Sequence, residues 1–186
     1  MLKNYDTVVI FKTDVTEEYV GKITTKLEKV LKAKPGKINE KKDWGNKTLA
    51  YEIKKEKQGR YVFWNYTQDP SVVEKVEKVL RYEENILRYS TIIQSEAEIK
   101  VSRALKADKD KNSNSLVITY KEPMTLTKFV SDRGKIVPRR VSGVNAVAQR
   151  RISREIKRAR QLALMGFVSN FPYHHGASQQ NQSRES

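Results

Sequence analysis

The chain is 186 residues long, carries 37 Lys+Arg against 22 Asp+Glu, and has a net charge of +15 with a pI near 9.9. That length allows one domain or two small ones, and that charge calls for an anionic partner with many phosphates or carboxylates. With no cysteine, and with His174 and His175 as the only histidines, disulfides, thiolate zinc sites and thiol nucleophiles are excluded, and neither a metal site nor Ser-His-Asp chemistry is expected. The apolar runs are too short for a signal peptide or a membrane span, so the sequence reads as a soluble intracellular protein. Nucleic acid is its first candidate partner, and an anionic membrane surface its second.

Residues 4–12, NYDTVVIFK, are rich in β-branched and aromatic types over a strand's length. Asp14 precedes Glu17 with capping-box spacing, and Val20, Ile23, Leu27 and Val30/Leu31 recur at helical intervals until Pro35-Gly36 stops the pattern. KINEKKDW and KTLAYEI are extended pieces around a Gly45-Asn46 turn or bulge, and Gly59 opens another, RYVFWNYT. Asp69-Pro70 begins a second helix with Val72, Val76 and Val79/Leu80 on one face, and ILRYSTII at 86–93 is a final strand. The order β-α-β-β-α-β predicts an α+β, ferredoxin-like domain over residues 1–96, with a four-stranded antiparallel sheet and two helices on one face.

Along RYVFWNYT, alternation puts Tyr61 and Phe63 on one side and Val62, Trp64 and Tyr66 on the other. One row therefore looks away from the helices unless something covers it. Exposed sheet aromatics would suit base stacking, which supports an alternative reading as a general single-stranded RNA or DNA binder. Packing against protein is the competing explanation.

At DWGNKTLAYEI, residues 43–53, the chain resembles bacterial small-subunit ribosomal protein family six, through Asp43, Trp44, Gly45, Lys47, Leu49, Ala50 and Tyr51. Lys3-Asn4-Tyr5, the aromatic strand at 61–66 and ILRYSTI extend the likeness over residues 1–96. The resemblance implies a ferredoxin-like fold that binds the central domain of small-subunit ribosomal RNA with a protein partner. It makes Lys3, Tyr5, Trp44, Lys47 and Arg88 candidate RNA contacts.

Residues 1–100 have a net charge of only +4, residues 101–114 of +2, and residues 115–186 of +9. Three arginines lie in the first hundred residues and ten beyond, and arginine's planar fork suits phosphate better than lysine does. ALKADKDKNSNS is polar and charged, so residues 97–116 read as a flexible linker and residues 168–186 as a polar, disordered tail. Over residues 97–114 such a linker reaches about 23 Å and holds the two halves at an effective concentration of the order of millimolar.

The second half, residues 117–167, begins extended, forms a short helix from Thr125 to Asp132 and turns at Gly134. Ser142-Gly143 then precedes a long helix in which Ala148, Ile152, Ile156, Ala159 and Ala163 form an apolar stripe. Its remaining surface carries Arg150, Arg151, Arg154, Lys157, Arg158 and Arg160 against one acid, Glu155. Like charges at helical spacing repel by about 0.2–0.5 kcal/mol per pair, so this face reads as built for polyphosphate. A membrane-surface helix would need bulkier apolar residues than Ala and Ile.

The run from Ile118 to Gly143, followed by QRRISREIKRARQLALM, resembles bacterial small-subunit ribosomal protein family eighteen. Tyr120-Lys121, Leu126, Phe129, Gly134 through Arg140, Gly143, Gln149-Arg150 and Ile156 through Arg160 carry that likeness. The family implies a small helical protein that pairs with family six on the same RNA. Lys135, Arg139, Arg140, Arg150, Arg151, Arg154, Lys157, Arg158 and Arg160 then become candidate RNA contacts. Where the family begins with a basic stretch that often includes Cys, this chain has the milder SRALKADKDKNSNS, and its extension through Ser186 has no counterpart.

The sequence thus reads as two ribosomal proteins fused into one chain, structural and not enzymatic, acting as a tethered heterodimer. Its expected partners are small-subunit rRNA and neighbouring ribosomal proteins, without cofactor, metal, membrane or small-molecule substrate. Its expected place is the cytoplasmic ribosome, an organellar one being equally compatible. Trp64 and Tyr66 of the first half are expected to meet Phe129, Leu162 and Leu164 of the second. A ligand-binding enzyme or regulator is the rival of another class, but the carboxylates are dispersed and there is no Gly-rich phosphate loop.

Overall fold

The computed structural model describes residues 2–32, 36–94 and 118–168. The linker read at 97–116, the tail read at 168–186 apart from Val168, Pro35 and the His174-His175 pair lie outside the described residues.

The first half runs β1 (Lys3–Phe11), α1 (Glu17–Leu31), β2 (Lys37–Ile53), β3 (Glu56–Gln68), α2 (Pro70–Arg81) and β4 (Ile86–Gln94), the order the sequence predicts. All pairings are antiparallel and the sheet order is β2-β3-β1-β4. Asp69 caps α2 by accepting the Ser71 N–H. The predicted capping box at Asp14 does not form, because α1 starts at Glu17 behind Thr16, which puts Glu17 at the first helical position instead of the third. The two extended pieces around Gly45 are one strand with a bulge, where Gly45 takes φ +69° and the register slips between Asp43 and Gly45. Lys54 and Lys55 both adopt positive φ and close the β2–β3 hairpin as a two-residue turn.

One face of the sheet packs on α1 and α2. Val9, Phe11, Val62, Trp64 and Tyr66 meet Val20, Ile23, Leu27, Val76 and Leu80 in a single buried cluster. The expectation that Trp64 and Tyr66 touch the second half is therefore overturned. Both point to the helix side of β3 and are fully enclosed there. Tyr5 stacks on Tyr66 with ring centroids 5.6 Å apart.

Burial pushes the Tyr66 phenol up to about 12, although its hydrogen bond with Thr7 opposes the shift. Because the folded value is raised, the protonated group's contribution is complete below pH 10 and is lost as pH climbs toward 12, an effect of about 3 kcal/mol. Alkaline unfolding followed by circular dichroism should show this loss, and Tyr66→Phe should remove much of it. An unchanged alkaline loss in that variant would assign the effect elsewhere.

The second half holds α3 (Pro123–Thr127), α4 (Arg139–Ser142) and α5 (Ala146–Gln161). The short helix ends earlier than the sequence suggests because the chain doubles back. Val130 bridges Ile136, the Val137 N–H donates to the Phe129 carbonyl, and Gly134 makes the turn at φ +76°. A side chain at Gly134 would meet the Phe167 carbonyl at 2.5 Å. Asn145 caps α5 by accepting the Ala148 N–H at 2.7 Å.

At its other end α5 closes with the Leu164 N–H on the Ala159 carbonyl and the Ala163 N–H on the Arg160 carbonyl. Glycine usually occupies the left-handed position of that motif, yet here it is Ala163 at φ +52°. Its methyl group is fully buried against the first half, which is what the side chain gains in return for the strained backbone.

Candidate nucleic-acid interface

The basic helix acts as an outward face only because its other side is anchored. Ile152, Ile156, Ala159, Leu162, Ala163 and Leu164 share one buried cluster with Val8, Ile10, Leu49, Tyr61 and Phe63. The row left open by α1 and α2 is thus covered, with Tyr61 and Phe63 at 0% and 1% exposure. This overturns base stacking on the β3 aromatics, since the second half covers Tyr61 and Phe63 while the helices enclose Trp64 and Tyr66. Leu162 and Leu164 lie in this interface, and Phe129 packs half-buried against it.

Main-chain groups fix the register of the docking. The Tyr61 hydroxyl donates to the Leu162 carbonyl at 2.7 Å, the Tyr51 hydroxyl to the Arg160 carbonyl at 2.8 Å, and the Ala50 N–H to the Ala163 carbonyl at 2.8 Å. The orphan carbonyls at the end of α5 are thereby satisfied by the first half.

Between the halves lies a buried polar network that sequence reading missed. Asp6 is fully enclosed and accepts the Tyr120 hydroxyl at 2.8 Å and Asn65 Nδ2 at 2.7 Å, with the Lys121 ammonium 3.3 Å away. Glu155, the lone acid among the helix bases, is also buried, accepting the Tyr120 N–H at 2.9 Å and Arg158 at 2.6 Å. Burial, then the charge of Asp6, holds the Tyr120 phenol well above its ordinary value. The available signal was a charged residue at the leading edge of the apolar run TVVIF and a carboxylate alone on a basic helix.

The candidate RNA contacts separate into two groups. Lys3, Lys135, Arg139, Arg140, Arg150, Arg154 and Lys157 are exposed. Arg150, Arg154 and Lys157 follow one face of α5 by their i, i+4, i+7 spacing. Ser142 and Gln149 bond to each other at 2.9 Å and Gln149 reaches the Val137 carbonyl, which fixes the Arg139-Arg140 turn beside the start of α5.

The second group is engaged inside the molecule. Arg88 donates to Tyr51 and to the Gln161 carbonyl, Arg158 to Glu155 and the Ile93 carbonyl, and Arg160 to the Gly134 and Gly166 carbonyls. These three half-buried arginines join the halves or brace the turn at Gly134, a structural role in addition to the RNA contact expected of them. Tyr5 is corrected as an RNA contact, because it is 3% exposed beneath the helices. Arg151 is half-buried, with its Nε enclosed and unpaired. Trp44 and Lys47 are half-buried together, the ammonium 4.9 Å from the indole centroid.

No helix among the described residues is long and apolar enough to cross a membrane. The family model for ribosomal protein S6 matches residues 4–93, and that for ribosomal protein S18 matches residues 114–165. Small ribosomal subunit protein bS6 of Rickettsia canadensis is 32% identical over 115 residues, spanning 62% of this chain and 95% of that protein. Small ribosomal subunit protein bS18 of Desulfosudis oleivorans is 56% identical over 55 residues, spanning 30% of this chain and 66% of that protein, just under two thirds of its length. The crystal structure of 30S ribosomal protein S6 from Thermotoga maritima aligns with a TM-score of 0.50 at 25% identity, covering 56% of this chain and 99% of that one.

Proposed function

Because the chain belongs to the ribosomal protein S6 family and carries a ribosomal protein S18 region on the same polypeptide, we propose that it is a structural, non-catalytic constituent of the small ribosomal subunit. One chain would then do what a pair of docked proteins does, binding and stabilising the central domain of small-subunit rRNA. The observation that carries this reading is the sealed interface. The apolar side of α5 is spent on the S6-type sheet, which turns Arg150 and Lys157, beside Arg139 and Arg140, outward toward an external partner. In the proposed organisation residues 1–96 and 117–167 are the two folded units, joined by 97–116. The place of action is the ribosome, in the cytoplasm for a bacterial chain.

The mechanism is electrostatic and steric. Each phosphate neutralised by an arginine or lysine releases counterions, so affinity falls steeply with salt, while the rigid pair of halves selects RNA of matching shape. The full chain should bind a central-domain rRNA fragment far more tightly than random RNA. Arg139→Ala, Arg140→Ala and Arg150→Ala should each reduce the slope of log affinity against log salt by about one for every phosphate that the arginine neutralises. Equal affinity for random RNA, or unaltered slopes in all three variants, would sink the proposal.

A further inference from the structure

One cleft departs from the basic character of the exposed surface. At the junction of the halves, β2, β3 and the residues leading into α3 enclose a cavity of about 340 Å³. Trp44 forms its wall, lying nearly parallel to Phe63 with centroids 5.5 Å apart and 9° between planes. The Lys47 ammonium stands 4.9 Å from the Trp44 centroid, and that of Lys121 stands 4.0 Å from the Phe63 centroid. Lys42 pairs with Glu40 at 2.8 Å, Lys121 with the buried Asp6 at 3.3 Å, and the exposed Glu122 completes the rim. Burial pulls the Lys47 ammonium below its ordinary value.

Three ammonium groups and two carboxylates line the cleft, with the buried Asp6 behind Lys121, so the lining carries one net positive charge in a protein of net charge +15. A phosphate gains little in such a place, because Lys42 and Lys121 are already answered and two carboxylates stand beside Lys47. A nucleobase gains from every part of it. Trp44 rests on Phe63 and Tyr61 and carries the flexible Lys47 ammonium over its ring, so a base stacks there once that ammonium swings to the base edge. Ammonium groups donate to keto oxygens and ring nitrogens, and carboxylates accept from exocyclic amino groups. The volume holds one base with its sugar and is far too small for a helix. Its walls come from both halves, so the cleft is complete only when they are docked.

We propose that this cleft receives one unpaired RNA base bearing an exocyclic amino group, with Trp44 as the stacking platform and Lys47 and Glu122 reading the base edge. The inference rests on the rRNA-binding reading above and adds a point of base recognition to what is otherwise phosphate contact. Uracil, which has no amino group, is disfavoured.

The test uses the full chain and a central-domain small-subunit rRNA fragment, with hydroxyl-radical footprinting of the backbone and dimethyl sulfate and carbodiimide footprinting of the bases. The expected result is protection of one unpaired adenine, cytosine or guanine. Glu122→Gln and Lys47→Met should each restore reactivity at that base and weaken binding several-fold, with the backbone footprint unchanged. Trp44→Leu should weaken binding about 5- to 150-fold, the range for loss of one base stack. Because Trp44 also packs on Phe63, the two rim variants decide the matter if this one melts early. Wild-type affinity and base protection in both rim variants would overturn the cleft and leave the ribosomal reading intact, as would protection of a uridine. Loss of the backbone footprint together with base protection would mark the residues as structural and overturn it too. Failure of the wild-type chain to bind the fragment would remove both readings.

Discussion

Asp6→Ala is expected to destabilise the chain by about 3–5 kcal/mol, the range for removing one partner from a buried charge pair. Asp6 has no exposed surface, and it is the acceptor for the Tyr120 hydroxyl, the Lys121 ammonium, Asn65 and Gln94. Truncation leaves the buried Tyr120 hydroxyl without its acceptor and takes the charge partner from the half-buried Lys121 and an acceptor from the half-buried Asn65 and Gln94. The cost is the desolvation of groups that stay behind, more than the value of the hydrogen bonds themselves. Asp6→Asn would not rescue the site, because it turns an amide N–H toward donors. Denaturant unfolding of the full chain measures the loss. Tyr120→Phe should cost about 1.5–3 kcal/mol by itself. The double variant should cost less than the sum of the two, since both disturb one network. A loss below about 1 kcal/mol for Asp6→Ala would show that the network contributes nothing net.

Ile156→Ala is the second large effect, at about 2–5 kcal/mol. Ile156 is fully enclosed in the cluster that contains Tyr61 and Phe63, so truncation leaves a cavity in the contact between the halves. The first half has its own separate cluster beneath α1 and α2, built on Phe11, Leu27 and Trp64, and should keep its fold. The expected signature is therefore selective, with early proteolysis within residues 118–168 and weaker RNA binding while the sheet domain stays protected. Arg150→Ala is exposed on the same helix and should change stability by no more than about 0.5 kcal/mol while weakening RNA binding. If Ile156→Ala melts the whole chain in one transition with the first half equally exposed, the two clusters are not energetically separable.

The order of elements in the first half is legible in the sequence because each element carries local signals. Asp69-Pro70 starts α2 with a cap and a ring-fixed first position, and β-branched runs mark β1 and β4. Boundaries were less legible where two signals competed. Asp14 offers a cap, but Thr16 lies nearer the start of the helix, and Phe129-Val130 can continue α3 or pair with Ile136-Val137, as it does. In the basic helix, spacing identifies the apolar stripe but does not distinguish an arginine that reaches solvent from one that reaches a carbonyl in the other half. Arg150 and Arg158 are about two turns apart, yet the first is exposed while the second meets Glu155 and the Ile93 carbonyl.

By itself the sequence determined that Tyr61/Phe63 and Trp64/Tyr66 lie on opposite faces of β3, since strand alternation admits no other arrangement. It also determined that positive charge gathers after residue 114, and that α5 must bury Ile152 and Ile156 against something. Tertiary structure decided which aromatic row received the helices and which received the second half. Alternation has period two and is symmetric between the faces, whereas the crossovers through α1 and α2 bring both helices to one side. With that side filled by Trp64 and Tyr66, the face carrying Asp6, Tyr61 and Phe63 was left for Tyr120 and α5. A charge in the middle of a strand acquired its partner only because a segment 114 residues away came to lie against it.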